Sequence, residues 1–424
     1  MDTLAWIHSH KANGRRPNHD RMAFLLEQLG NPQDNVPLVH VVGTNGKGST
    51  TAYLQALLSA SGYRCGTFTS PYITSFNERI AIDKKPIADQ DLEAICLKIK
   101  PLLKDLPHHL GRITEFELVT LIMFCYFKQE RPDMAIIEAG VGGLEDATNC
   151  FHALAVICPS ISYDHMDTLG EHLSDIAKHK AGVLTDKEPV FVGELNQDAL
   201  EVFYHKAHKT HSPLYRIHHD FYLHSQGNDF YVENKNLLLG PICLAMQGYH
   251  QQINACLAIQ TALYLKAQFP LLDPQRFAAI LKPVTLYGRS EWLLDNLMID
   301  GAHNPSGMDS LLQSLEQEKR PCHFLVAGLK RKPITPLLNQ LNAYHVSVTS
   351  FPFYEARALD DYPDNYPRLD SLNDWFLQAK RHPEKCYVVT GSLYFISYVR
   401  EAFFNWQEEL KNTHSLIYSP YSGQ

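Results

Sequence analysis

The stretch "VVGTNGKGSTTAYLQALLSASG" (41–62) gathers residue types that can hold phosphate. Glycines let backbone N–H groups turn inward, and a helix N-terminus adds partial positive charge. Lys47 has the reach to meet terminal phosphate oxygens, and the Ser49 hydroxyl can ligate Mg2+. The spacing is unusual. A standard phosphate loop puts four residues between its first glycine and the Gly-Lys pair, with Ser or Thr directly after the lysine. Here only Thr44 and Asn45 separate Gly43 from Gly46-Lys47, and Gly48 intervenes before Ser49-Thr50. An apolar run before the loop, helix formers after it and a stop at Gly62 supply the strand–turn–helix setting such a cradle needs. A Gly-rich turn that holds nothing is the competing account. The full conjunction favours a loop for nucleotide phosphates.

Other candidates fall where strands should end. Glu138 closes "DMAIIE" (133–138) with Gly140 close behind, and a carboxylate there faces the phosphate loop. Its alternative is a helix cap or a surface acid. His165 closes "SISYDH", with Asp164 beside it to orient the ring, and Asp300 and His303 follow "LLDNLMI". Arg79 in "FNERI" can pair bidentately with a substrate carboxylate, or form an ion pair with Glu78 or a neighbour. "TEFE" (114–117) reads as a capping box, Thr114 to Glu117.

These residues need a scaffold, and its rhythm is legible. Short β-branched runs alternate with amphipathic stretches: "PLVHVV" (37–42), "DMAIIE" (133–138), "ALAVICPSIS" (153–162) and "EPVFVG" (188–193). That is the βαβ pattern of a doubly wound, mostly parallel sheet, in which ligands bind beyond the carboxyl ends of the strands. "FYLHSQGNDFYVEN" alternates either side of Gly227-Asn228 and predicts a small added β-hairpin. A long helix is expected from about 252 to 268. The alternation restarts with "LLDNLMIDGAHNP", "CHFLVAGL", "HVSVTSFPF" and "KCYVVTGS". The expected organisation is an α/β phosphate-loop ATPase domain, 1–294, and a smaller Rossmann-like α/β domain, 295–424.

Composition bounds the rest. At 424 residues the chain exceeds one hydrophobic core, so two domains are the default. A formal charge of -8 argues against a nucleic-acid surface, and the basic stretch 8–16 reads as a solvated face. Nine scattered cysteines without a Cys-x-x-Cys pair fit reduced thiols in a cytoplasmic protein. The run "LVTLIMFCYF" (118–127) is too short for a membrane span and reads as a buried helix, so no membrane partner is expected. A monomer is expected.

"GTNGKGST" resembles the signature of the Mur-ligase superfamily and, within it, the folylpolyglutamate synthase/dihydrofolate synthase family. "TSPYITSFNERI" (69–80), "IIEAGVGGLEDATN" (136–149), "YDH" with "IAKHKAGVL" (163–184), "GYHQQINACLA" (248–258), "DGAHNP" (300–305) and "TGSLY" (390–394) match that family's motifs in order. Departures are Val42, Leu144 where a basic residue is common, Tyr72 for His, His179 for Glu, and "AGLKRKP" (327–333) for a pattern bearing Asp. The resemblance implies that ATP phosphorylates a folate carboxylate and that L-glutamate's amine then displaces phosphate. It implies two Mg2+ ions held by Ser49, Glu138, His165 and Lys180, with Lys180 carbamylated, for which a lowered amine pKa is required. It further implies adenine recognition by Asn254, ATP-phosphate contact by Arg289, contact with nucleotide and glutamate by Asp300 and His303, and substrate contacts from Ser70, Pro71, Arg79 and Ser392. Lys47, Lys180, Asp300 and His303 would be the catalytic set, in a cleft that closes on binding. The small-molecule partners are ATP, L-glutamate and a folate or dihydropteroate.

Two rivals are weaker. Cell-wall Mur ligases carry a separate domain before the phosphate loop, and only 42 residues precede Gly43. A GTPase-type switch module would carry Asn-Lys-x-Asp, but Asn234-Lys235 is followed by Asn236-Leu237.

Overall fold

The structure, a computed structural model, describes residues 2–11 and 17–417, so residues 12–16 of the basic stretch lie outside it. The chain divides into two compact units, Met1–Thr285 and Leu286–Gln424.

In the first unit, strands β1 (Leu38–Val41), β2 (Cys65–Phe68), β3 (Ile80–Ile82), β4 (Lys85–Pro86), β5 (Met134–Glu138), β6 (Ala155–Cys158), β7 (Val190–Val192) and β8 (Leu214–Arg216) form one sheet among the described residues. Their order is β4-β3-β2-β5-β1-β6-β7-β8. The β2-to-β8 part is parallel, and β3 and β4 add an antiparallel edge. Residues of β1, β5 and β6 are all buried, as Val/Ile-rich runs covered by helices on both faces must be. Ile137 packs on one face with Leu118 and Phe127, whereas Val156 packs on the other with Ile176 and Phe203. Strand β1 is central, flanked by β5 and β6, so its carboxyl end opens at a switch point of the topology.

The predicted hairpin is part of a three-stranded antiparallel sheet of β9 (Tyr222–Gln226), β10 (Asp229–Asn234) and β11 (Leu237–Cys243). The third strand hides in sequence because Gly240-Pro241 interrupts its alternation, and the β10–β11 register shifts between Phe230 and Val232. The long helix is Tyr249–Leu265, three residues earlier than expected, and Gly248 at φ 107° opens it. "LVTLIMFCYF" lies in the buried Glu115–Glu130 helix, which starts with the expected Thr114–Glu117 capping box. Among the described residues, no helix is long and apolar enough to cross a membrane.

The second unit holds β12 (Glu291–Leu294), β13 (Leu297–Ile299), β14 (Cys322–Val326), β15 (His345–Val348) and β16 (Cys386–Thr390) in the order β12-β13-β16-β14-β15. All pairs are parallel except β12–β13. This differs from the expected boundary after residue 294: β12 turns back to pair with β13, Glu291 opposite Ile299, and so belongs to the second sheet. Side chains alternate across β16, with Tyr387 and Val389 in one core and Cys386 and Val388 in the other.

Candidate active site

The loop that leaves β1 is clamped from two sides. Gly43 (φ 135°) and Gly46 (φ 88°) adopt left-handed backbone, which favours glycine. A Cβ on Gly46 would lie 2.3 Å from Asn254 Oδ1 and 2.9 Å from Pro159 Cβ, so no side chain fits there. The segment after β6 braces the loop: Thr44 N–H donates to the Ser160 carbonyl at 2.8 Å, and Asn45 N–H to Ser160 Oγ at 3.0 Å. Thr44 Oγ1 donates to the Ser162 carbonyl and accepts from Ser162 N–H. These two N–H groups are therefore engaged in the brace. The N–H groups left without an intrahelical partner are those of the first turn of the Lys47–Ala60 helix.

Two lysines converge on one carbonyl. Lys47 Nζ donates to the carbonyls of Gly43 (3.1 Å) and Thr44 (3.2 Å) and lies 3.8 Å from Glu138 Oε1. Lys180, buried in the Leu173–Ala181 helix, donates to the same Gly43 carbonyl at 2.7 Å. Burial, then the charge of Lys47, pulls the Lys180 amine down to about 7, against the opposing pull of Asp164 and Asp146. Glu138 is the last residue of β5 and its other oxygen accepts from Ser70 N–H at 3.4 Å.

Gln251 joins the loop helix to the Tyr249–Leu265 helix. Its amide nitrogen donates to Ser49 Oγ (3.2 Å), and its oxygen accepts from Tyr53 OH (3.4 Å) and Asn254 Nδ2 (3.3 Å). Asn254 is thus buried against the loop, one turn from Gln251 on the same helix face. Neither Gln251 nor Ser160 was singled out from sequence. Position just past β6 would have pointed to Ser160, and the three-residue offset from Asn254 to Gln251.

Asp146 was also missed. It is buried and accepts from Val141 N–H, Thr148 N–H and Thr148 Oγ1, so it ties down the loop after β5. Burial raises its carboxyl pKa, partly offset by those bonds. Two departures from the family pattern adjoin here, since Leu144 N–H donates to the His179 carbonyl at 2.6 Å. His165 does not end a strand: β6 stops at Cys158, because Pro159 lacks the N–H a ladder needs. His165 instead caps the short helix Met166–Leu169 with φ 52°, its Nε2 3.9 Å from Asp164 Oδ1.

Arg79 is buried, 7% exposed, with its guanidinium 5.5–5.9 Å from the Phe68, Phe76 and Phe116 rings and 4.0 Å from Glu115 Oε1. The ion-pair account describes it in this structure, with Glu115 as the partner. The Glu78 carboxylate is taken by the N–H groups of Ile73, Thr74 and Ser75, which shapes the loop after Ser70-Pro71.

In the second unit, the ends of β13 and β16 are neighbours. Asp300 Oδ2 accepts from Ser290 N–H (2.8 Å) and Oδ1 from Ala302 N–H (2.9 Å). His303 Nδ1 donates to the Gly301 carbonyl at 2.8 Å, since a carbonyl oxygen can only accept. Arg289 Nη1 would lie 2.9 Å from a Cβ on Gly301, and buried Ser392 follows β16 after Gly391. Arg289, Asp300, His303 and Ser392 thus gather at one strand-end turn.

Ser49 and Glu138 offer buried oxygen donors beside the cradle, a set that fits Mg2+. No group of three or more His, Cys, Asp or Glu side chains that could hold a metal occurs among the described residues.

This fold and loop define a Mur-type ligase: residues 41–262 match the Mur ligase middle domain. The chain is 32% identical to dihydrofolate synthase/folylpolyglutamate synthase of Bacillus subtilis (95% of this chain, 98% of that protein). It is 34% identical to folylpolyglutamate synthase of Lacticaseibacillus casei (94% and 97%). A solved FPGS–AMPPCP–folate complex superposes with a TM-score of 0.84 at 33% identity, covering 95% of this chain and 98% of that one. The chain belongs to the folylpolyglutamate synthase/dihydrofolate synthase family. It is a ligase that joins an acid to an amino acid through a carbon–nitrogen bond.

Proposed function

We propose that this enzyme uses ATP to add L-glutamate to the γ-carboxylate of tetrahydrofolate polyglutamates through an acyl phosphate, and that it also joins L-glutamate to dihydropteroate. A carboxylate oxygen is a poor leaving group, so the acid must first be activated. Its oxygen takes the γ-phosphoryl group of ATP, ADP leaves, and the glutamate amine then attacks the carbonyl carbon and expels phosphate. Phosphoryl transfer asks for positioning and charge neutralisation rather than covalent help from the protein. The single observation that carries the reading is the convergence of Lys47 and buried Lys180 on Gly43, beside Glu138.

Lys47 and the N–H groups at the helix start would neutralise the transferred group. Ser49 and Glu138 would hold one Mg2+, which supplies charge stabilisation on phosphate oxygens when bound. A second ion would use His165 and a carbamylated Lys180. An amine with pKa about 7 is in part neutral at physiological pH, as reaction with CO2 requires. Ser70, Pro71 and Arg79 are proposed to shape the folate side. Asn254 supports the loop against which adenosine would lie. Arg289, Asp300, His303 and Ser392 are proposed for nucleotide and glutamate contact, in a monomer that acts on small molecules alone.

ADP release measured with each pterin in turn, at saturating glutamate, tests this. Release that needs both a folate and glutamate is expected. Release that is indifferent to both, or silence with every folate and dihydropteroate, would remove the reading.

A further inference from the structure

The cysteines look scattered in sequence, yet two become partners in the second unit. Cys322 opens β14, Cys386 opens β16, and parallel pairing sets them directly opposite each other. Neighbouring strands run about 4.8 Å apart, inside the Cα separation of about 4.4–6.8 Å that a disulfide tolerates. Both thiols are on one face of the sheet: Cys386 belongs to the core of Met308, Leu311 and Val388, and Cys322 packs against that core. Cys322 Sγ donates to the Arg320 carbonyl at 3.7 Å and also meets the Cys386 thiol in a sulfur–sulfur contact.

That contact lowers the Cys322 thiol below its ordinary range, with help from the Arg320 guanidinium and against burial and Glu318. The same contact, with burial, pushes Cys386 up. Cys322 is half-buried and Cys386 fully buried. One half-buried thiol therefore faces one sheltered thiol, the arrangement of an attacking and a resolving cysteine.

We propose that Cys322 and Cys386 are a reversible oxidation site, closed into a strand-to-strand disulfide by a small hydroperoxide. The Cys322 thiolate attacks one peroxide oxygen. The O–O bond breaks, a sulfenic acid forms, and the departing oxygen leaves as water or alcohol after taking a proton. The Cys386 sulfur then attacks the Cys322 sulfur, the S–S bond forms, and the S–O bond breaks to release water with the Cys386 proton. Two thiols lose two electrons and one hydroperoxide gains them; a dithiol reductant reverses the change. The bridge would tie β16, the middle strand of this sheet, to β14 at the end opposite Thr390.

The test uses the full chain, reduced, then exposed to hydrogen peroxide at neutral pH. Remaining thiols are alkylated, and the digest is read by mass spectrometry. A linked Cys322–Cys386 peptide, two hydrogens lighter than the dithiol pair and lost on reduction, is expected. It should form about tenfold faster than oxidation of Cys243, which is exposed and serves as the internal reference. In Cys386→Ser, the Cys322 sulfenic acid should persist long enough for capture by dimedone. A wild-type chain in which Cys322 stays a thiol, or links elsewhere, overturns the proposal. That decisive readout needs no variant, so a misfolded mutant cannot mask it.

Discussion

The loop after β1 and the turn after β13 both lie at the carboxyl ends of parallel strands, but their charges are satisfied in opposite ways. In the first unit, two lysines meet one carbonyl, Glu138 stands 3.8 Å from Lys47, and Asp164 and Asp146 act on Lys180. In the second, each oxygen of Asp300 accepts one backbone N–H, so the carboxylate also holds its own turn. In the first region Lys47 rests on two loop carbonyls and lies 3.8 Å from Glu138, contacts that an incoming anion can replace. The second is a finished scaffold that presents His303 and Ser392. A charge resting on replaceable loop contacts thus marks a binding site better than one fixed by its own turn.

The sharpest way to break this contrast is Lys47→Ala. Turnover should fall by about 10²–10³-fold, the usual cost of removing one preorganised donor at developing charge. The thermal midpoint should barely move, because Lys47 meets only loop carbonyls and a carboxylate. Equal turnover would dissolve the contrast. Asp300→Ala should show the reverse emphasis. Two backbone donors lose their acceptor, so stability of the second unit should drop by about 2–4 kcal/mol, measured by denaturant unfolding. Unchanged stability would mean the carboxylate is not structural.

Smaller effects refine the first region. Ser160→Ala removes the hydroxyl that accepts from Asn45 N–H and donates to the Asn45 carbonyl. A loss of about 1 kcal/mol, read as a roughly fivefold higher KM for ATP with kcat nearly kept, is expected. Lys180 adds a pH signature. Its amine is lowered to about 7 when folded and returns to 10.5 when unfolded, so the unfolded chain binds more protons between those values. Its contribution to stability should therefore rise with pH through that window, by up to about 1.4 kcal/mol per pH unit. Lys180→Met should flatten that slope in metal-free unfolding at a series of pH values; an unchanged slope would place the titration elsewhere.

The parts of this architecture legible in sequence were those fixed by local chemistry. The left-handed glycines, the Thr114–Glu117 cap and the Val/Ile runs of β1, β5 and β6 are each dictated by neighbours in the chain. What stayed hidden depends on residues far apart. Ser160 braces Asn45 across a separation of 115, and Gln251 reaches Ser49 across 202. No periodicity encodes such contacts. β11 was lost at Gly240-Pro241, and the domain boundary slipped because an antiparallel hairpin looks like a continuing strand until its partner is known. Arg79 shows how a partner far off in the chain stays hidden. Its side chain suits a carboxylate ligand, and the fold gives it one internally, in Glu115.

The central claim is that the acid is activated by transfer of phosphoryl to its own oxygen. Folate substrate labelled with 18O in the γ-carboxylate tests it most directly, by mass analysis of the phosphate released during turnover. The account predicts one labelled oxygen in each phosphate; unlabelled phosphate beside normal product would contradict it.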